Sequence, residues 1–491
     1  MTTRADLGDL EANGLIQIAA VEPELEYLFR HALVQEAAYS SLLKQDRRAL
    51  HRLAAEAIIA LHPDRQPELA GVIALHYEQA GDAPRAAEQL VVAGQHALER
   101  FAHWEAVGFF ARAGALADQT QGEVKLRAAV GGAKAGWAYT QPGTDIDLLE
   151  QAVSGAAPSD PGLLTEAYFW IAFLRRQRGE LPESSPQLKH ALERGAELGR
   201  LLADPEAVAL PRALMGSYVA FTGDLREGAR EMREALEQVE AKGDSLSTAI
   251  ISDYLALTYA RLGEFEAAER TIARSHNFAA SGDHIARVDA DIAEAGLHLE
   301  RGETEKARAQ ALACASRSED LGAYACVVAS NVMYGAASLA REDPRAAKGP
   351  LERGRELCRV TNMAPMETLT HALLGSARAQ LGDFPGGVAG WDAALAGARA
   401  MHDRYGEAQT LWGRARSFAR QAATDPSAAM VDLDRAIELF ERMGARPSLA
   451  RALNDRALAL RSLNRAGEAA TDERRAMELG REIGLRDAPF A

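Results

Sequence analysis

Leu255-Ala256-Leu257-Thr258-Tyr259-Ala260-Arg261-Leu262-Gly263-Glu264-Phe265-Glu266-Ala267-Ala268-Glu269-Arg270-Thr271-Ile272 reads as two helices around one tight turn. Gly263 ends the first helix because glycine tolerates left-handed dihedrals. A short polar residue beside such a glycine can cap the second helix. Leu255 and Tyr259 on one helix and Ile272 on its partner supply apolar filling at helical spacing. The same turn recurs at Gly223, Gly302, Glu342, Gly382, Thr424 and Asn464. Seven positions before each turn sit Gly216, Ala256, Ala295, Gly335, Gly375, Ser417 and Ala457. Five positions after it sit Gly228, Ala268, Ala307, Ala347, Gly387, Ala429 and Ala469. Both tracks have spacings of 40, 39, 40, 40, 42 and 40 residues. A small residue on each helix lets two antiparallel helices approach closely. One hairpin cannot bury its apolar face alone, so the copies must stack into a superhelix.

The small residue, the turn glycine seven later and the alanine five beyond it resemble the tetratricopeptide repeat. The unit is nearer 40 residues than about 34, which lengthens the helices by roughly one turn in total. The signature tryptophan and proline are mostly absent, so the resemblance is to the broad superfamily. Upstream, Ala172, Gly179 and Ser184 give a further copy, as do Ala74, Gly81 and Ala86. Residues 101–118 and 121–155 read as further helix pairs, with an irregular stretch at Gln141-Pro142-Gly143. Ser154–Gly162 is the best candidate for a break in the solenoid.

Composition agrees with an all-helical reading. Aromatics are 6%, and arginine and alanine are abundant while strand formers are scarce. The net charge of −15 argues against a general nucleic-acid binder and against an anionic-membrane binder. No apolar run approaches the roughly 18 residues of a membrane span. The first residues, Met1-Thr2-Thr3-Arg4-Ala5-Asp6, lack the apolar core of a signal peptide. Three cysteines, Cys314, Cys326 and Cys358, make no disulfide framework in 491 residues and read as buried small apolar side chains. The expected location is the cytoplasm.

The first fifty residues depart from the repeat. Leu7–Gly14 reads as a helix, Leu15–Ala20 and Glu26–Phe29 as two strands around Val21–Leu25, then His31–Leu43 and Gln45–Leu61 as helices. Helix, wing-like hairpin and helix make the second half of a winged-helix module. Tyr27-Leu28-Phe29-Arg30-His31-Ala32-Leu33-Val34-Gln35-Glu36-Ala37-Ala38-Tyr39, followed by Arg47-Arg48-Ala49-Leu50-His51, resembles a segment of STAND-type signalling ATPases. It is most similar to bacterial proteins that join a nucleotide cyclase domain to an AAA-like ATPase and a tetratricopeptide-like tail. The resemblance extends over about residues 9–118, through the Ala80-Gly81-Asp82 turn and the helix start His103–Val107. It implies that His31 senses the phosphates of a nucleotide bound by an attached ATPase domain. A capping or packing role at a helix start is the alternative for His31.

The departure from that family is equally specific. No G-x-x-x-x-G-K-[ST] occurs, and Gly131-Gly132-Ala133-Lys134 lacks the glycine before the lysine. The chain therefore looks like the tail of such a protein, starting inside its winged helix. No nucleophile elbow or acid–base pair stands out, so no catalytic residue is assigned. No metal site is assigned either: His276 and His284, or His96 and His103, lack the i,i+4 spacing with a carboxylate. No cofactor is expected.

Function then falls to the groove lined by the first helix of each hairpin. Projecting tetratricopeptide geometry onto this register directs Asp253, Arg261, Glu300, Gln380, Arg414, Gln421, Asn454 and Arg461 to the concave side. The expectation is an all-α, tetratricopeptide-like superhelix of about ten or eleven hairpins. Residues 1–50 would be a partial winged helix, 51–160 irregular repeats and 161–491 regular ones. Such a chain is a non-enzymatic interaction or sensor module for a protein, a peptide or a small effector, with self-association at its winged-helix edge. Its alternative is the regulatory part of an ATPase-coupled nucleotide cyclase. A transcription regulator ranks last, because Arg481–Ala491 brings no helix-turn-helix.

Overall fold

The computed structural model describes residues 4–20, 26–116, 122–139, 142–155, 160–202, 209–240, 245–280, 282–419, 426–487 and 489–490. Among them it holds 24 α-helices and one two-stranded antiparallel sheet, an all-α tetratricopeptide-like superhelix. The chain opens with α1 (Arg4–Ala12), β1 (Ile16–Ala20), β2 (Glu26–Phe29), α2 (Ala32–Ser41) and α3 (Lys44–Leu61). The strands pair in antiparallel register, Ile16 opposite Phe29. The loop with Pro23 lies outside the described residues.

Next come α4 (Gln66–Ala80), α5 (Ala83–Glu99), α6 (His103–Leu116), α7 (Gly122–Gly136) and α8 (Pro142–Gly155). Residues 101–116 thus hold one helix where a pair was expected. Eight hairpins follow: α9 (Pro161–Gln177) with α10 (Pro186–Leu201), α11 (Ala209–Thr222) with α12 (Leu225–Glu240), α13 (Ser245–Leu262) with α14 (Phe265–Ala279), and α15 (His284–Arg301) with α16 (Thr304–Asp320). The last four are α17 (Tyr324–Ala340) with α18 (Pro344–Thr361), α19 (Ala364–Gln380) with α20 (Phe384–Ala400), α21 (Arg404–Ala419) with α22 (Pro426–Met443), and α23 (Arg446–Ser462) with α24 (Ala466–Ile483). Each odd helix from α5 onward touches the next odd helix, so the odd helices form the inner layer.

The two small-residue tracks meet where the helices of a hairpin cross. A Cβ on Gly228 would lie 2.6 Å from the Gly216 carbonyl oxygen. The turn residue is left-handed, at φ +90° in Gly302, whose N–H closes α15 onto the His298 and Leu299 carbonyls. Asp343 and Asp383 then cap α18 and α20, each accepting a backbone N–H at 3.0 Å.

The superhelix closes on itself after little more than four forty-residue units. His103 bonds Asp283, 180 residues on, at 3.3 Å. Arg446 donates from Nε to the Leu262 carbonyl at 2.8 Å across 184 residues, and Arg486 pairs with Glu303 across 183. These bonds form a seam between successive turns. At one end Phe169, Trp170 and Phe173 of α9 share one buried cluster with Ile285, Val288 and Ile292 of α15. Farther along, α13, α15, α17, α19, α21 and α23 form a ring, with α23 back in contact with α13.

Candidate functional site

The ring encloses a cavity of about 720 Å³. Its apolar wall is Leu257 of α13, Leu299 of α15, Val332 and Leu339 of α17, Leu373 of α19 and Trp412 of α21. That volume is within the range that holds a drug-sized molecule.

A polar network closes one side. Tyr405 is buried, and its hydroxyl donates to Glu300 Oε1 at 2.7 Å. Gln409 donates to the Tyr405 hydroxyl and to Ser448 Oγ, both at 2.9 Å. Arg451 grips Asp487 through Nε at 2.7 Å and Nη2 at 3.2 Å, and donates to the Glu300 carbonyl at 2.9 Å. Burial works against the Arg451 charge, but the Asp487 pair overcomes it and holds the guanidinium protonated. Trp412 Nε1 donates to Asp455 Oδ2 at 2.7 Å, and Arg416 stands 3.3 Å from the same oxygen.

Arg261 differs from these arginines. Its guanidinium lies 4.2 Å from the Tyr405 ring centre. It makes no hydrogen bond or ion pair among the described residues. Asp253, two turns earlier on α13, is half-buried, with Oδ1 occluded and accepting no hydrogen bond. Burial pushes its carboxyl up to about 7, with Arg261 pulling the other way. Burial likewise raises Asp403, whose Oδ1 accepts the Gly406 N–H at 2.8 Å.

The structure brings four of the eight groove residues into this one cavity: Arg261, Glu300, Gln380 and Asn454. Asp253 stands near Arg261 without lining it. Two are placed elsewhere. Arg414 bonds both oxygens of Asp432 on α22, at 2.7 and 2.8 Å. At about 100° per residue it points some 200° away from Trp412 and Arg416, which do line the cavity. Arg461 shares the stripe of Asn454, but in the last turn of α23 it pairs with Glu473 of α24. Gln421 lies outside the described residues. His31 is exposed at the start of α2 and makes no capping bond with its side chain.

Sequence reading missed Tyr405, Ser448, Arg451 and Asp487. They reach the cavity only because the superhelix closes, and no signal in one repeat marks that closure. It also missed a cluster formed by His276, Asp291 and Glu294, whose ligating atoms lie within 4.8 Å of one another. Arg317 pairs with Asp291, Arg287 lies 3.5 Å from it, and Gln310 donates to Glu294 at 3.0 Å, so ion pairs and hydrogen bonds account for that cluster. The three cysteines are buried and free, and Cys326 donates to Asp289 Oδ1 at 3.4 Å.

No family model matches the sequence, and neither does any curated protein. Among solved structures, the chain is similar to a Rap protein complexed with competence and sporulation factor. The TM-score is 0.55 at 14% identity, over 73% of this chain and 98% of that one. This likeness establishes the fold alone. The APC/C hetero-tetramer Cut9–Hcn1 gives 0.47 at 12% identity, over 91% and 90% of the two chains. A STAND protein with a tetratricopeptide repeat sensor from Pyrococcus horikoshii gives 0.36 at 13%, over 96% and 58%. At those two scores the likeness carries no weight.

Proposed function

We propose that the chain is a non-enzymatic sensor module whose ring cavity receives an effector, and whose seam reports its arrival to a protein partner. One observation carries this reading. Arg261, Gln380 and Asn454, on three different helices, line one cavity and make no hydrogen bonds among the described residues. All three are half-buried and face one apolar-walled space, so their hydrogen-bonding groups are open to a ligand. The neighbouring network of Tyr405, Glu300, Arg451 and Asp487 ties the cavity to the seam. A ligand that favours one seam arrangement over another would shift the balance between them.

The resemblance of residues 9–118 extends this reading. In that form the module is the regulatory tail of a STAND-type ATPase, with His31 facing an attached domain. The alternative, a regulatory part of an ATPase-coupled cyclase, shares the same cavity. Fractionated cell extract would be screened for a rise in the thermal midpoint of the chain. A fraction that raises it in the native protein, but not in a Gln380→Ala/Asn454→Ala variant, supports the sensor reading. If every active fraction acts equally on both proteins, or none acts, the reading fails.

A further inference from the structure

We propose that the ligand of the ring cavity is an amphiphilic monocarboxylate whose head pairs with Arg261. This deepens the sensor reading and rests on it. The other four arginines at the cavity already have carboxylate partners. Arg341 pairs with Glu305 at 2.9 Å, Arg416 with Asp455, Arg451 with Asp487 and Arg486 with Glu303. Among the described residues, Arg261 has no carboxylate partner and rests on the face of Tyr405. Stacking on a ring face leaves the N–H edge of a guanidinium open, and that edge matches a carboxylate.

Two carboxyl groups, Asp253 and Asp403, lie in electrostatic reach of Arg261, and neither pairs with it. Burial raises both carboxyls, which weakens their hold on the cation. The cavity also contains a worked example of the chemistry proposed. Arg451 holds the Asp487 carboxylate through two nitrogens on the same wall.

The body of the ligand follows from the lining. Leu257 is one turn from Arg261 on the same face of α13, so the cation adjoins the apolar wall directly. Gln380 and Asn454 offer amides that both donate and accept, fit for one neutral polar group on that body. A phosphate is a poorer match. Its second charge would need a second unpaired cation, and the other four arginines of the lining already hold carboxylates.

Fatty acyl chains and the free ends of short apolar peptides both present this chemistry. Decanoate, decanol, decyl phosphate and an apolar pentapeptide with a free or an amidated C-terminus would be titrated by calorimetry. The expected result is that decanoate, or the free-acid peptide, binds at least about tenfold tighter than its neutral counterpart. Arg261→Gln should abolish that preference, and Arg261→Lys should keep part of it. Which acid binds tells the acyl source from the peptide source. Equal binding of acid and neutral probes, tighter binding of the phosphate, or a preference that survives in both variants overturns the proposal. So does the absence of binding by every acid. Should Arg261→Gln fail to fold, the Lys variant and the acid–neutral comparison in the native protein still decide. An extract fraction that stabilises the Arg261 variants as well as the native chain would sink the carboxylate and leave the sensor reading intact.

Discussion

Asp253 and Glu303 illustrate how single residues set opposite limits of pH. The native state holds a proton on Asp253 up to about pH 7, whereas an unfolded chain releases it near the ordinary carboxylate range. Its contribution is therefore complete in acid and is lost as pH rises through about 7. Glu303 works the other way. Burial opposes its charge, but Lys306, His298 and Arg486 bring it down to about 2. Its contribution is complete above the ordinary carboxylate range and is lost as pH falls toward 2. On these two groups stability should peak at about pH 4 to 4.5, decline until about pH 7 and level off above it. Thermal midpoints from about pH 3 to 8 check this, and Asp253→Asn should flatten the decline between about pH 4.5 and 7. A midpoint that climbs steadily to pH 8 would contradict it. Part of the cavity lining was legible at this scale. Arg261, Glu300, Gln380 and Asn454 follow from the repeat register, because one helix face recurs every forty residues. Arg414 holds the register position of Asn454, but it stands ten residues past the start of α21 where Asn454 stands eight past the start of α23, and those two residues of helix turn its side chain to nearly the opposite face. Arg451 was hidden because its carbonyl partner, Glu300, is 151 residues away.

The hairpin is held together by its small residues, and these were plain in the sequence because spacing alone reveals them. Their role can be separated from helix propensity by two glycines. A Cβ on Gly228 would lie 2.6 Å from Ala220 Cβ and from the Gly216 carbonyl. Gly228→Val should force α11 and α12 apart and destabilise the chain by about 1–3 kcal/mol. Gly467, on α24, has nothing within 4 Å of such a Cβ. Gly467→Ala should leave stability unchanged or raise it by up to about 1 kcal/mol. Urea unfolding of the two variants checks both; equal losses would mean that the small tracks do not govern packing. The N-terminal elements obey different physics. Their order was readable from turn residues and alternation, but α2 buries no side chain, and Leu33 and Leu43 are 79% and 72% exposed. Such a face should self-associate. Light scattering should show mass rising with concentration, and Leu33→Glu with Leu43→Glu should suppress the rise. A constant monomer mass at high concentration would argue otherwise.

At the scale of the molecule, the accessible surface is 22494 Å². A compact monomer of this mass would expose about 17,600 Å². The difference fits a hollow superhelix with an uncovered N-terminal face. Closure was the least legible feature, since it depends on small rotations summed over more than four repeats. It is nevertheless what turns scattered groove residues into one cavity. Arg446 should matter here beyond its own ion pair: Arg446→Ala should loosen the seam at Leu262 and speed amide exchange there, with little change on α5 and α6. The ring cavity is the proposed effector site. Hydrogen exchange with and without saturating decanoate, or whichever extract fraction stabilises the chain, tests that most directly. Slowed exchange concentrated on α13, α15, α19, α21 and α23 is the expected result. Slowing confined to α2 and α3, or spread evenly over all hairpins, would contradict it.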